Sequence, residues 1–201
     1  LDLNPEIINH SPVLQRWLKK IPNILEEIKH NPSFTTKVRL GYAQFPSQDD
    51  SSGITVGVED VFIGSSGLTI DADYQTSFRG DARTSAGANL NYYVLPLGSY
   101  VNISPVLGYR YFQRGDYSTE GVNLGGRVRL SLSPKGAADI TLSQTFLSPG
   151  GSEEIGFTTF SAGYALTPNL RISADIQKQN SSQHKDESVT LFLEWMPKVE
   201  H

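Results

Sequence analysis

"ALTPNLRISADIQKQN", residues 165–180, is the stretch whose reading decides the fold. Thr167-Pro168-Asn169 has the chemistry of a turn, and the residues after it alternate strictly. Leu170, Ile172, Ala174 and Ile176 fall on one face; Arg171, Ser173, Asp175 and Gln177 fall on the other. A period of two marks a β-strand with one apolar and one wet face. If the apolar face is inside, the chain is a soluble barrel with an apolar pocket. If it is outside, the surrounding solvent is lipid.

Composition narrows the field. The 201 residues suit one domain, and the net charge of -4 argues against a nucleic-acid partner. With no cysteine, the chain has no disulfide, thiolate nucleophile or Cys-ligated metal. No run approaches the roughly 18 consecutive apolar residues of a membrane helix. The sequence begins at Leu1 without a basic-then-apolar leader, a start compatible with a removed signal peptide.

Residues 1–33 differ from the rest. Ser11-Pro12 reads as a helix entry, and Val13, Leu14, Trp17, Leu18, Ile21, Ile24, Leu25 and Ile28 recur at helical spacing. Pro22 predicts a kink, and Asn31-Pro32 a stop. This amphipathic segment is expected to cap the main domain or to engage a periplasmic or envelope partner through residues 12–29.

From Phe34 onward the period is two. Ten strand-like segments are read at 35–45, 53–63, 67–78, 82–94, 99–112, 120–132, 137–147, 154–166, 169–179 and 187–196. They match the roughly 9–11 residues of a tilted membrane-spanning strand or exceed it. Tight turns are expected at Gly64-Ser65-Ser66, Pro96-Leu97-Gly98, Ser133-Pro134-Lys135-Gly136 and Thr167-Pro168-Asn169. They alternate with longer polar loops from Pro46, Arg79, Gln113, Ser148 and Asn180. That rhythm predicts an all-β, ten-stranded antiparallel up-and-down transmembrane barrel over residues 34–197, with a tail at 198–201.

The two faces can be followed through all ten segments. One carries Leu40, Val56, Ile70, Leu90, Ile103 and Leu130, then Leu142, Tyr164, Ile172, Leu191, Leu193 and Trp195. The other carries Lys37, Arg39, Glu59, Asp71, Asp73, Arg83 and Arg110, then Arg127, Arg129, Asp139, Arg171, Asp175 and Glu194. A soluble outer surface would favour lysine and glutamate, whereas Arg and Asp dominate here. Guanidinium groups and short aspartates suit a crowded lumen in which each charge finds a partner. The first set is therefore expected to face lipid and the second to line the lumen. A closed barrel is also the β structure that satisfies its backbone in lipid.

In this pattern, and in the closing strand "SVTLFLEWMP" (188–197), the chain resembles the small outer-membrane β-barrels of bacteria. It departs from many of them by ending in Met196-Pro197 and a polar tail instead of a terminal aromatic. The resemblance implies an outer-membrane location, with both termini and the tight turns towards the periplasm.

Chemistry is sparse. His184 lies beside Ser181, Ser182, Asp186 and Glu187, letters from which a hydrolase triad can be composed but at a spacing that rarely gives triad geometry. Asp49-Asp50, Glu153-Glu154 and Asp186-Glu187 are acidic pairs read as solvated loop charges. No metal-ligand spacing appears, and no cofactor is expected. The sequence predicts a passive narrow channel for ions or small solutes, or a filled structural or docking barrel, with membrane lipid as partner. The alternatives are a soluble ten-stranded barrel binding an apolar ligand and an outer-membrane hydrolase using His184.

Overall fold

The computed structural model describes residues 32–47, 51–64, 66–78, 83–133, 137–151, 153–181 and 185–197. The segment at 12–29, Asp49-Asp50, the turn residues 134–136, residues 182–184 with His184, and the tail at 198–201 lie outside the described residues.

Ten strands follow one another along the chain: β1 (Lys37–Phe45), β2 (Ser51–Phe62), β3 (Leu68–Ser77), β4 (Arg83–Tyr92), β5 (Val101–Arg114), β6 (Tyr117–Ser131), β7 (Ala138–Leu147), β8 (Ile155–Ala165), β9 (Leu170–Ser181) and β10 (Lys185–Trp195). Each pairs antiparallel with its sequence neighbours, and β1 closes the ring on β10 from Val38↔Trp195 to Gln44↔Val189. The closed ring has no edge strand, so the ladder groups of every strand face a partner on both sides.

The connections correct one expectation. Those at 63–67, 93–100, 132–137 and 166–169 form the turn end, and those at 46–50, 78–82, 115–116, 148–154 and 182–184 the loop end. By strand boundaries the loop-end connections are not the longer ones. Residues read as loop instead extend the sheet: Arg114 pairs with Tyr117 around the two-residue turn Gly115-Asp116, and Lys185 pairs with Asn180. Gly115 has φ +56°, which the first central position of a tight hairpin turn demands. Polar composition here marks strand that has left the apolar belt, not loop.

That belt is on the outer wall. Leu40, Tyr42, Val56, Ile70, Leu142, Tyr164, Leu191, Leu193 and Trp195 are all exposed, Leu191 at 63% and Trp195 at 55%. On β5 it runs from Val101 to Tyr109, a rise of roughly 20 Å along the barrel axis at a tilt of about 40°. It reaches the turn end through exposed Val94, Leu95, Tyr100, Leu132 and Leu166. At the loop end Gln44, Glu120 and Glu187 are exposed, with Phe78 the apolar exception at 64%. A Lys178–Glu187 pair at 3.2 Å belongs to this polar collar. The apolar-pocket alternative fails here, because the apolar face is not the interior.

One break in the alternation matters. Between Val58↔Ala72 and Val61↔Ile70 the β2–β3 register shifts, so Glu59 and Asp60 together oppose Asp71. Asp60 has φ +56°, the left-handed conformation that a bulge residue can adopt. The bulge turns two consecutive carboxylates into the lumen.

Candidate functional site: the charged lumen

The densest chemistry fills the turn-end half of the lumen. Arg129 of β6 reaches across to β2, where its Nη2 donates to Glu59 Oε1 at 2.8 Å and its Nη1 lies 2.6 Å from Asp60 Oδ2. Arg39 of β1 donates from Nε to Glu194 at 2.8 Å and from Nη2 to Asp175 at 3.0 Å, and its Nη1 lies 3.1 Å from Glu59. Arg127 holds Asp71 at 2.7 Å. Arg171 grips Asp139 with two nitrogens and lies 2.8 Å from Glu194. Lys37 stands within 3.8 Å of Glu59, Asp60 and Asp139. Side chains from β1, β2, β3, β6, β7, β9 and β10 thus form one web, whose low-dielectric setting makes each pairing strong and each orphaned charge costly.

An aromatic stopper lies beneath the web. Phe34, 1% exposed, packs against Phe62 and Tyr93, with ring centroids 5.5 and 4.5 Å away, and the Arg129 guanidinium lies 4.5 Å over its ring. Leu97 folds in beside it from the β4–β5 connection. Ser33 straps this segment down: its N–H donates to Leu97 O at 2.8 Å, and its hydroxyl donates to Ser99 O at 3.0 Å. The Tyr93 hydroxyl donates to Asp60 at 2.7 Å.

Above the web the lumen opens into a chamber of about 160 Å³. Thr55, Ser85, Ser143, Thr145, Thr159 and Ser188 supply hydroxyls to its wall. Arg110 clamps Asp73 here through two hydrogen bonds of 2.9 and 2.5 Å. The volume and the polar lining suit several waters.

Apolar side chains line the loop end of the lumen. Phe112, Leu147, Ile155 and Phe157 form a buried cluster, and Phe45 is also fully buried. Arg83 of β4 spans the lumen to β10, donating to Asp186 at 2.8 Å and to Gln177 of β9 at 2.7 Å. Asp186 also accepts from the Ser47 hydroxyl.

The structure places all thirteen residues assigned to the inner face inside the barrel, and each meets an oppositely charged partner there. Among the described residues, three inward charges are not legible in the sequence. Asp60 was lost because strict alternation sends it outward, and only a bulge reverses that. Asp186 and Arg114 were lost because both fell in stretches read as loop. The buried aromatics Phe34, Phe112 and Phe157 are not legible from alternation, because an apolar residue on the inner face breaks the polar pattern that marks that face.

Asp186 faces inward and Glu187 outward, so these neighbours do not form an acidic pair. Glu153 and Glu154 are exposed, and Glu154 accepts from Gly150 N at 2.7 Å. Among the described residues no group of His, Asp and Glu is arranged to hold a metal ion.

No family model matches the chain, and no curated protein matches it. The solved structures similar to the chain include two bacterial proteins. A major outer membrane protein from Thermus thermophilus aligns at 12% identity over 80% of this chain and 98% of its own, with a TM-score of 0.36. Neisserial surface protein A aligns at 18% identity over 82% of this chain and 96% of its own, with a TM-score of 0.32. Superpositions this loose leave the functional reading to the geometry of the chain itself.

Proposed function

We propose that this protein spans an outer membrane as a closed ten-stranded barrel whose filled lumen makes it a membrane-embedded structural or docking element. The observation that carries the reading is the inverted polarity of the wall. Arginine, aspartate and glutamate are buried inside while Leu, Ile, Val, Tyr and Trp cover the outside. In water that arrangement would expose a continuous apolar belt, far beyond the scattered apolar residues of a soluble monomer. In a bilayer it is the ordinary solution, with a belt close to the about 25 Å of such barrels. The collar at the loop end and the apolar turn end favour an orientation with the loops exterior and both termini periplasmic. Residues 12–29 precede the strap at Ser33, so a partner engaged through them would meet the barrel at its periplasmic mouth.

The filled-barrel reading is favoured over the narrow channel because buried aromatics narrow the lumen towards both ends, with the ion-paired web between them. The chamber is the observation that favours the channel. The test is refolding with and without detergent, followed by planar-bilayer recording. Solubility only in micelles, a gel mobility that changes on boiling, and no conductance steps would support the proposal. A monodisperse protein without detergent would overturn the membrane reading, and regular conductance steps would replace the filled barrel with a channel.

A further inference from the structure

Arg83 and Arg114 stand directly opposite each other across the β4–β5 ladder, at the position nearest the loop end. Both belong to the inward set: Arg83 is 1% exposed, and Arg114 follows Arg110 and Phe112 at two-residue spacing. Like charges directly opposite on one face of a sheet repel. Asp186 is ion-paired to Arg83, whereas Arg114 joins no ion pair among the described residues. The other carboxylates described at this rim, Asp116, Glu120, Glu153, Glu154 and Glu187, are exposed. Two guanidinium nitrogens here, Arg83 Nε and Arg114 Nη1, are shielded from solvent and have no hydrogen-bond acceptor. A buried donor without an acceptor is costly, and here two lie on facing residues of like charge. An anion with several oxygens would satisfy both donors and cancel the repulsion.

We propose that the loop end of the lumen is a phosphate-binding site, with Arg83 as its inner and Arg114 as its outer guanidinium. Phosphate suits the site because its oxygens can accept from two planar forks at once. The aromatic floor, with Phe45 and Phe112 rings 5.2 and 5.4 Å from the Arg83 guanidinium, keeps water from competing beneath it. The phosphate could be free in solution or carried on a lipid headgroup. The inward placement of both arginines holds whether the outer wall faces lipid or water, so the site stands independently of the membrane reading.

The test uses the full chain in alkyl maltoside micelles, which carry no phosphate. Its thermal midpoint is measured in sodium phosphate against sodium chloride at equal ionic strength, for the native chain and for Arg114→Gln. A phosphate-specific rise in the native midpoint, with an apparent Kd at least tenfold weaker in Arg114→Gln, is expected for free phosphate. A second arm compares maltoside micelles with and without added phosphatidic acid at equal ionic strength. A rise confined to this arm, and again lost in Arg114→Gln, assigns the phosphate to a headgroup. Without any anion, Arg114→Gln should melt above the native chain because the repulsion is gone. If Arg114→Gln fails to refold, Arg114→Lys keeps the charge without the fork and should weaken binding severalfold. No phosphate response in either arm, or one unchanged by the substitution, overturns the proposal.

Discussion

Replacing Arg129 by methionine tests the physics of the lumen most directly. Arg129 is fully buried and faces two carboxylates, Glu59 at 2.8 Å and Asp60 at 2.6 Å. Without it Glu59 keeps Arg39 at 3.1 Å, whereas the nearest cations left to Asp60 are Lys37 at 3.8 Å and Arg127 at 3.9 Å. The loss therefore falls on Asp60, itself fully buried. Breaking a buried pair by removing one partner costs about 3–5 kcal/mol, most of it the stranded charge. Adding Asp60→Asn removes that charge, and asparagine tolerates the positive φ of the bulge. The double variant should thus be more stable than Arg129→Met alone, by about 2 kcal/mol. Urea unfolding in maltoside micelles, followed by far-UV circular dichroism, would measure each corner of the cycle. A double variant no more stable than Arg129→Met would refute the account, as would a single-variant cost below about 1 kcal/mol.

Leu142→Arg, placing a charge on the outer wall near the middle of the belt, should cost about 2–4 kcal/mol in vesicles if that wall faces lipid. The measurement is equilibrium unfolding from phosphatidylcholine, and a cost near zero would count against the lipid contact. Gly41→Ala should cost roughly 1–3 kcal/mol by overpacking, because its new methyl would lie 2.6 Å from the Phe192 ring. That ring supports the Arg39 guanidinium at 3.8 Å, so the same chemical denaturation should show the loss. Phe34→Ala removes the stopper but leaves the ion-paired web, so bilayer recording should still show no conductance steps. Steps appearing in that variant would make the aromatic plug, not the web, the seal.

Much of this was legible in the sequence because a barrel wall writes its two environments into alternate residues. The strand 170–177 predicts the placement of its own side chains, since Ile172 is exposed and Arg171 buried. Boundaries were harder to read, because once β5 leaves the belt Gln113 and Arg114 look like loop while still pairing in the sheet. Asp60 needed a backbone irregularity that no periodicity announces. The pairing of the charges was not readable at all. That Arg129 meets β2 and Arg83 meets β10 follows from closing the ring, where residues far apart in sequence face each other across a narrow lumen.

The uneven placement of the apolar belt bears on how such a barrel enters a membrane. The four connections of the turn end contain a single charged residue, Lys135, while those of the loop end include Asp49, Asp50, Arg79, Asp81, Asp116, Glu153 and Glu154. Carrying a charge through hydrocarbon is expensive, so the connections of the two ends face very different translocation barriers, while the charged residues of the two terminal segments add to the cost on the turn-end side. In the proposed orientation, with the loops exterior, the more charged connections are the ones that would have to cross the hydrocarbon. That crossing would be the costliest step in reaching it.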